Sequence, residues 1–263
     1  MIKIDNTKCN KDYICIDECP YSFMYGKDNE GFPFIQPPLF EKYCIKCWHC
    51  IAICPKGAIS YLGIKKGDLE QLKSKDFLPY DQAEKFIRSR RSFRTFKKEP
   101  VPDDVISKWM DISRWSPTAS NSQQLNWILV KQTEKVAHLA RIIIDWLKEK
   151  NDCLEIIEQW NQGNDILLRH APHLLIVTLP KDYFWAMTDA ATAISYLELT
   201  AYSHGLGTCW AGYFTRAASE YAALRMELNL PENHKVAGAL MFGYPIYRFS
   251  RIPGRKRISI QYL

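Results

Sequence analysis

No run of about 20 consecutive apolar residues occurs in this 263-residue chain, so no membrane-spanning helix is predicted. The opening stretch, "MIKIDNTKC", lacks the basic-then-apolar pattern of a secretory leader, which predicts a cytoplasmic protein. Gly205 and Gly207 do not form a dinucleotide-binding fingerprint; they fit a helix stop followed by a turn. The basic segments come with no helix-turn-helix signature and no array of stacking aromatics, so no nucleic-acid partner is predicted. Net charge is a modest +6, compatible with an anionic cofactor or an acidic protein partner but selecting neither. Cysteine almost vanishes after residue 54, where only Cys153 and Cys209 remain, most simply as buried or spare thiols.

What is present is uneven. Seven of the nine cysteines fall within the first 54 residues. In a reducing compartment such crowding favours metal binding over disulfides. The length exceeds that of a usual single domain, and a hydrophobic fraction of 47% permits a real core. Two domains are expected, one of them small. The boundaries are read as 1–62 for the cysteine-rich part, 63–82 for a polar, cysteine-free linker, and 83–263 for the rest.

The stretch "YCIKCWHCIAICPKGAI" spaces its cysteines as Cys44-x2-Cys47-x2-Cys50-x3-Cys54, followed by Pro55. Three thiolates on one tight loop reach three irons of a cubane, while the fourth projects toward a second cluster. Structural zinc sites divide their ligands between separate knuckles, so this spacing is a poor zinc match. His49, inside the run, reads as exposed and non-ligating. The earlier stretch "CNKDYICIDECP" repeats the same register 35 positions before, as Cys9-x2-Asp12-x2-Cys15-x3-Cys19-Pro20, with Asp12 where a cysteine would stand.

This internal repeat resembles a two-cluster bacterial ferredoxin domain over about residues 1–62. The resemblance implies one [4Fe–4S] cluster on Cys44, Cys47, Cys50 and Cys19, because the fourth cysteine of each run serves the opposite cluster. The other cluster would take Cys9, Cys15 and Cys54, together with whatever Asp12 offers. Three outcomes stand for Asp12: its carboxylate ligates the fourth iron, the site holds a three-iron cluster, or water completes the fourth iron. Oxygen is a harder ligand than thiolate, so a labile or convertible cluster is expected there.

Beyond the linker, helical and strand patterns alternate. Residues 103–116 read as an amphipathic helix carrying Val105, Ile106, Trp109, Ile112 and Trp115, and residues 126–132 as a strand. Residues 134–150 and 154–170 read as helices, 173–180 as a buried strand, and 188–205 as a helix with a small face of Ala190, Ala193 and Ala201, capped by Thr188. A shorter helix over "YAALRMELNL" and a strand over 234–245 complete an α+β pattern.

Two segments about 25 residues apart concentrate the chemistry. "RSRRSFRTF" gathers Arg90, Arg91, Ser92 and Arg94, and guanidinium groups recognise phosphate bidentately. "SPTASNSQQLNW" lines up small and amide residues between a helix and a strand. Together they resemble the nitroreductase family of FMN enzymes. "GLGTCWAGYF" and "GYPIYRFSRIPGRKRISI" extend the likeness over about residues 83–263.

The resemblance implies an α+β nitroreductase-like fold, a homodimer, and FMN. Arg90, Arg91, Ser92 and Arg94 would hold the phosphate or the polar edge of the ring. Pro117, Thr118, Ala119, Asn121 and Gln123 would line the ring. Ala211 and Gly212 would offer backbone groups near flavin N5, and Arg255 and Arg257 would approach the phosphate. At 211–213 the chain reads "AGY" where many relatives carry an acidic or bulkier residue.

No catalytic side chain is required, because the flavin supplies the chemistry. The joint reading is a flavin oxidoreductase wired to an iron–sulfur domain, reducing nitroaromatic, quinone or similar electron-poor small molecules. Its expected donors are ferredoxin, flavodoxin or NAD(P)H. Reductive dehalogenation or dehydrogenation is the rival enzyme reading, and an electron carrier or redox sensor the non-enzyme one.

Overall fold

The computed structural model describes residues 1–263, which divide into two compact units. The first comprises Met1–Leu78 with Ser120–Ser122; the second comprises Pro79–Ala119 with Gln123–Leu263.

The first unit begins with strand β1 (Ile2–Ile4), the short helix α1 (Ile14–Asp17), and the hairpin β2 (Tyr25–Lys27) and β3 (Pro33–Ile35). Helices α2 (Pro37–Tyr43) and α3 (His49–Ile53) follow, then strands β4 (Ile59–Tyr61) and β5 (Ile64–Lys65). β1, β4 and β5 form an antiparallel sheet in that order. Such short elements bury little on their own. Two small apolar clusters hold them, one around Cys15, Ile51, Cys54, Ala58 and Ile59, the other around Met24, Tyr25, Ile35 and Phe40. Within the segment read as a linker, residues 66–68 and 74–76 make single 3₁₀ turns.

The second unit starts with α4 (Tyr80–Ser89) and α5 (Asp103–Met110). Strand β6 (Asn126–Val130) leads to α6 (Thr133–Lys150) and α7 (Leu154–Asn161). Then come β7 (His173–Pro180), α8 (Ala186–Ala201), β8 (Gly207–Trp210), α9 (Gly212–Glu220), α10 (Ala222–Glu227) and β9 (His234–Gly243). The sheet order is β6-β7-β9-β8, antiparallel throughout, with β7 and β9 central and almost wholly buried. One face packs against α6, whose Val136, Leu139, Ala140, Ile143, Ile144 and Leu147 form a continuous apolar stripe. The other face packs against α8 through Ala186, Ala190, Ile194, Leu197 and Ala201, with Trp109 of α5 alongside. Ala193 is buried as well, so the small-residue face is the face that lets the helix lie close.

Several boundaries differ from expectation. The helix read to residue 170 stops at Asn161, because Gly163 takes φ 88° and Asp165 then caps the chain locally. The buried Asp165 carboxylate accepts the N–H groups of Leu167, Leu168 and His170. The helix read from 103 to 116 ends at Met110 in a 3₁₀ turn, which leaves Trp115 exposed. Helix α8 begins at Ala186, so Thr188 lies inside it and does not cap it. It yields to a 3₁₀ turn and then to Gly205 at φ 71°, the left-handed stop that glycine adopts without strain.

Candidate functional site

The two cysteine runs fold alike. Lys11 and Tyr13 take φ 59° each, and their counterparts 35 positions on, Lys46 and Trp48, take φ 54° and 61°. Left-handed non-glycine residues are uncommon, so four of them at matched positions mark one loop geometry built twice. Asp12 therefore sits in the backbone setting of Cys47, between two left-handed residues, and is exposed.

Cys19, Cys44, Cys47 and Cys50 line a single cavity walled by Ile2, Met24, Tyr25, Ile51 and Tyr61. Burial, and then the neighbouring Cys50, Cys54 and Cys9, push the Cys15 thiol up to about 11. Cys50 is pushed up to about 11 by burial, with Cys47, Cys44 and Cys19 adding to it and a hydrogen bond from Tyr25 opposing. No three His, Cys, Asp or Glu side chains converge on one point as a single-ion site demands. Ligands of a polynuclear cluster belong on separate irons, so spaced thiols in a dry, apolar wall fit that centre. His49 is exposed at the start of α3, as expected.

In the second unit the arginine-rich segment follows α4 and runs beside β8. Ser92 bridges Thr208 in parallel, and the Phe93 N–H donates to the Thr208 carbonyl at 2.8 Å. Arg90 pairs through Nη1 with Glu198 Oε1 of α8 at 3.1 Å, and reaches Ser92 Oγ at 3.5 Å. Arg91 folds back on its own helix end, donating to the carbonyls of Arg88 and Arg90, while its buried Nε has no partner. Its two terminal nitrogens thus serve the C-terminus of α4. Arg94 is exposed and forms no ion pair. Burial raises the Cys209 thiol, and Arg94, Arg169 and Arg90 act against that rise.

The loop after α5 is tightly wound. Ser120, Asn121 and Gln123 take φ 51°, 52° and 49°. The Gln123 N–H donates to Thr118 Oγ1 at 3.0 Å, closing the loop on itself. The Ala119 N–H donates to Asp189 Oδ1 at 3.1 Å, and the Tyr183 hydroxyl donates to Asp189 Oδ2 at 2.6 Å. Pro117 is exposed, and Thr118 and Ala119 are half-buried. Asn121, which groups with the first unit, donates its side-chain amide to the Ile45 carbonyl at 3.0 Å.

Two assigned roles meet obstacles. Ala211 is buried; its N–H donates to Ala239 O at 2.9 Å and its carbonyl accepts from the Thr215 N–H at 3.0 Å. It has no backbone group left for a ligand in the way foreseen. Gly212 opens α9, where the first N–H groups have no intrahelical acceptor. Arg255 and Arg257 lie in the exposed, irregular segment 251–263, and no hydrogen bond or ion pair joins either to Arg90 or Ser92.

Sequence reasoning missed Asp189, Glu198, Trp210 and Arg169. The two carboxylates were visible only as acidic residues within the apolar run of α8, where both are buried. Arg169 at φ 60° and His170 at φ 49° form a left-handed pair that no residue pattern announces.

Comparison with known proteins agrees with this geometry. The nitroreductase family matches residues 87–244, and a 4Fe-4S dicluster domain matches residues 1–56. A Bacillus subtilis protein, YfhC, named for NAD(P)H nitroreductase activity, is 28% identical over 60% of this chain and 82% of its own length. An iodotyrosine deiodinase from Nematostella vectensis is 23% identical over 67% of this chain and 70% of that protein. A Bacteroides fragilis nitroreductase solved with bound FMN superposes with a TM-score of 0.58 at 26% identity, covering 69% of this chain and 98% of that one. A Desulfitobacterium hafniense nitroreductase with bound FMN gives 0.59 at 21% identity, over 69% and 98%.

Proposed function

The chain belongs to the nitroreductase family and carries a 4Fe-4S dicluster domain at its N-terminal end, and from that premise we propose that it binds FMN and two iron–sulfur clusters and passes electrons between them to a small acceptor. When bound, FMN supplies two-electron or one-electron chemistry at its ring, and each cluster supplies one electron at a time. The observation carrying this reading is one chain with two loops of the same left-handed geometry in its cysteine runs and an arginine–serine segment hydrogen-bonded beside β8.

The chain's own residues do the placing. Cys19, Cys44, Cys47 and Cys50 hold one cluster, and Cys9, Cys15 and Cys54 hold the second, with Asp12 as its oxygen ligand. Arg90, Ser92 and Arg94 meet the phosphate end of FMN, and Pro117, Thr118, Ala119 and Gln123 with the Gly212 N–H meet the ring. The strained loop is pinned by Asp189, so its shape is set before any ligand arrives.

The acceptor is an electron-poor, flat small molecule such as a nitroaromatic or a quinone. The donor is ferredoxin or flavodoxin through the cluster domain, with NAD(P)H, named for the relatives, as the direct route to the flavin. The active form is a homodimer. Ile246, Tyr247, Phe249, Ile258, Ile260 and Tyr262 stand more than half exposed along the C-terminal segment, a density of apolar surface that a second copy would cover. Reductive dehalogenation is the second reading, favoured by the deiodinase relative.

Replacing Arg90 and Arg94 with Ala removes FMN from the purified protein and leaves cluster absorption intact. Full FMN occupancy in that variant contradicts the site. Anaerobic turnover with nitroaromatic, quinone and halogenated phenol separates the two readings by which substrate is consumed.

A further inference from the structure

One buried group on α8 has no place in the chemistry above. The Glu198 side chain is 7% exposed, and each of its oxygens has a different donor. Oε1 accepts from Arg90 Nη1 at 3.1 Å, from a residue 108 positions away, and Oε2 accepts from Trp210 Nε1 at 2.9 Å. A carboxylate out of water is costly unless both charge and hydrogen bonds are answered, and here they are.

The two partners differ in rigidity. Trp210 is fixed: it ends β8 opposite Leu240, and its ring lies beside Gly238, where an added Cβ would come within 3.2 Å of Cζ3. The next residue, Ala211, is locked between β9 and α9 by both of its backbone groups. Arg90 is less constrained. It stands at the exit of α4, 27% exposed, and its one other side-chain hydrogen bond is to Ser92 Oγ at 3.5 Å. Glu198 thus carries the rigidity of the sheet to a guanidinium that would otherwise sample several rotamers. Glutamine cannot substitute, since it presents an N–H₂ to one of two donors.

Resting on the flavin reading above, we propose that Glu198 is a positioning residue of the cofactor site: it fixes the Arg90 guanidinium for the phosphate of FMN and touches no cofactor atom itself. An anchored guanidinium keeps its remaining N–H edge aimed, which lowers the ordering cost of binding.

The test is a double-mutant cycle on the full chain with its clusters loaded, stripped of flavin and titrated with FMN by fluorescence quenching. Glu198→Gln weakens FMN about tenfold in the wild-type background and less than about twofold in the Arg90→Ala background, because its effect passes through Arg90. Riboflavin, which lacks the phosphate, loses less than about twofold. Equal losses in both backgrounds, equal losses for FMN and riboflavin, or FMN binding unchanged or tightened in Glu198→Gln, overturn the proposal. If Arg90→Ala itself leaves FMN affinity unchanged, the site assignment fails first and takes this inference with it. Should Glu198→Gln fold poorly by its melting curve, Glu198→Asp keeps the charge but cannot span both donors. The same phosphate-specific loss is expected there, and its absence overturns the proposal.

Discussion

At the scale of single residues, two groups carry predictions of opposite kind. Asp12 occupies the backbone setting of Cys47 in the other loop, and the proposed ligand role for its carboxylate is tested there. Asp12→Cys is expected to change the iron count per chain or the spectroscopic type of that cluster, read by iron analysis and EPR; a variant unchanged in both contradicts the ligand role. His173 is structural. Its Nε2 accepts the Val101 N–H at 2.8 Å and its Nδ1 stands 2.8 Å from the Lys131 carbonyl, so the neutral ring with the proton on Nδ1 satisfies both. Burial, the largest cause, pulls its pKa below the ordinary 6.5. A group depressed on folding favours the unfolded chain once that chain takes up the proton. The contribution is therefore complete above about pH 6.5 and is lost as pH falls below it. Thermal melts between pH 7.5 and 5.5 should show a steeper loss for wild type than for His173→Gln; parallel curves would remove His173 as the cause.

At the scale of elements, the proposed FMN site depends on how closely the arginine segment approaches β8. Gly207 makes that approach possible: a Cβ there would come within 2.7 Å of Phe93 Cγ and 2.9 Å of Phe93 Cβ. Neither atom is the free end of a flexible chain, so Gly207→Ala must shift the backbone that carries Ser92 and Arg94. A stability loss of about 1–3 kcal/mol is expected, with partial loss of bound FMN, measured by denaturant titration and flavin content. Retained stability and flavin would mean that the segment slides without cost. Elements of this unit were legible where periodicity was long. The α6 stripe, the apolar run of β7 and the alanine face of α8 all follow from spacing alone. The cysteine runs were legible because their chemistry fixes their spacing. The break after Asn161 was not, since it rests on a glycine at positive φ and on one carboxylate closing a loop on three N–H groups. Strand β8 and helix α9 were hidden in a short segment in which only a turn at Gly205 and Gly207 was read. Glu198 and Asp189 were hidden for another reason: their partners Arg90 and Ala119 lie 108 and 70 positions away, a distance no local pattern spans.

At the scale of the whole molecule, a chain with a dicluster domain and a flavin fold invites one question, whether the two halves share electrons. Burial raises the Cys15 and Cys50 thiols, so loading the clusters is expected to release protons and to add folding energy to a unit with only two small apolar clusters of its own. A change at one ligand is therefore the probe of the proposed electron route. The most direct measurement is anaerobic stopped-flow reduction by a low-potential ferredoxin, following cluster and flavin absorption separately in wild type and in Cys50→Ser. The proposed relay makes cluster bleaching precede flavin bleaching in wild type, and flavin reduction slow at least about tenfold in the variant, where a required relay is removed. Flavin reduction at the same rate in both proteins, with the clusters as bystanders, would contradict it.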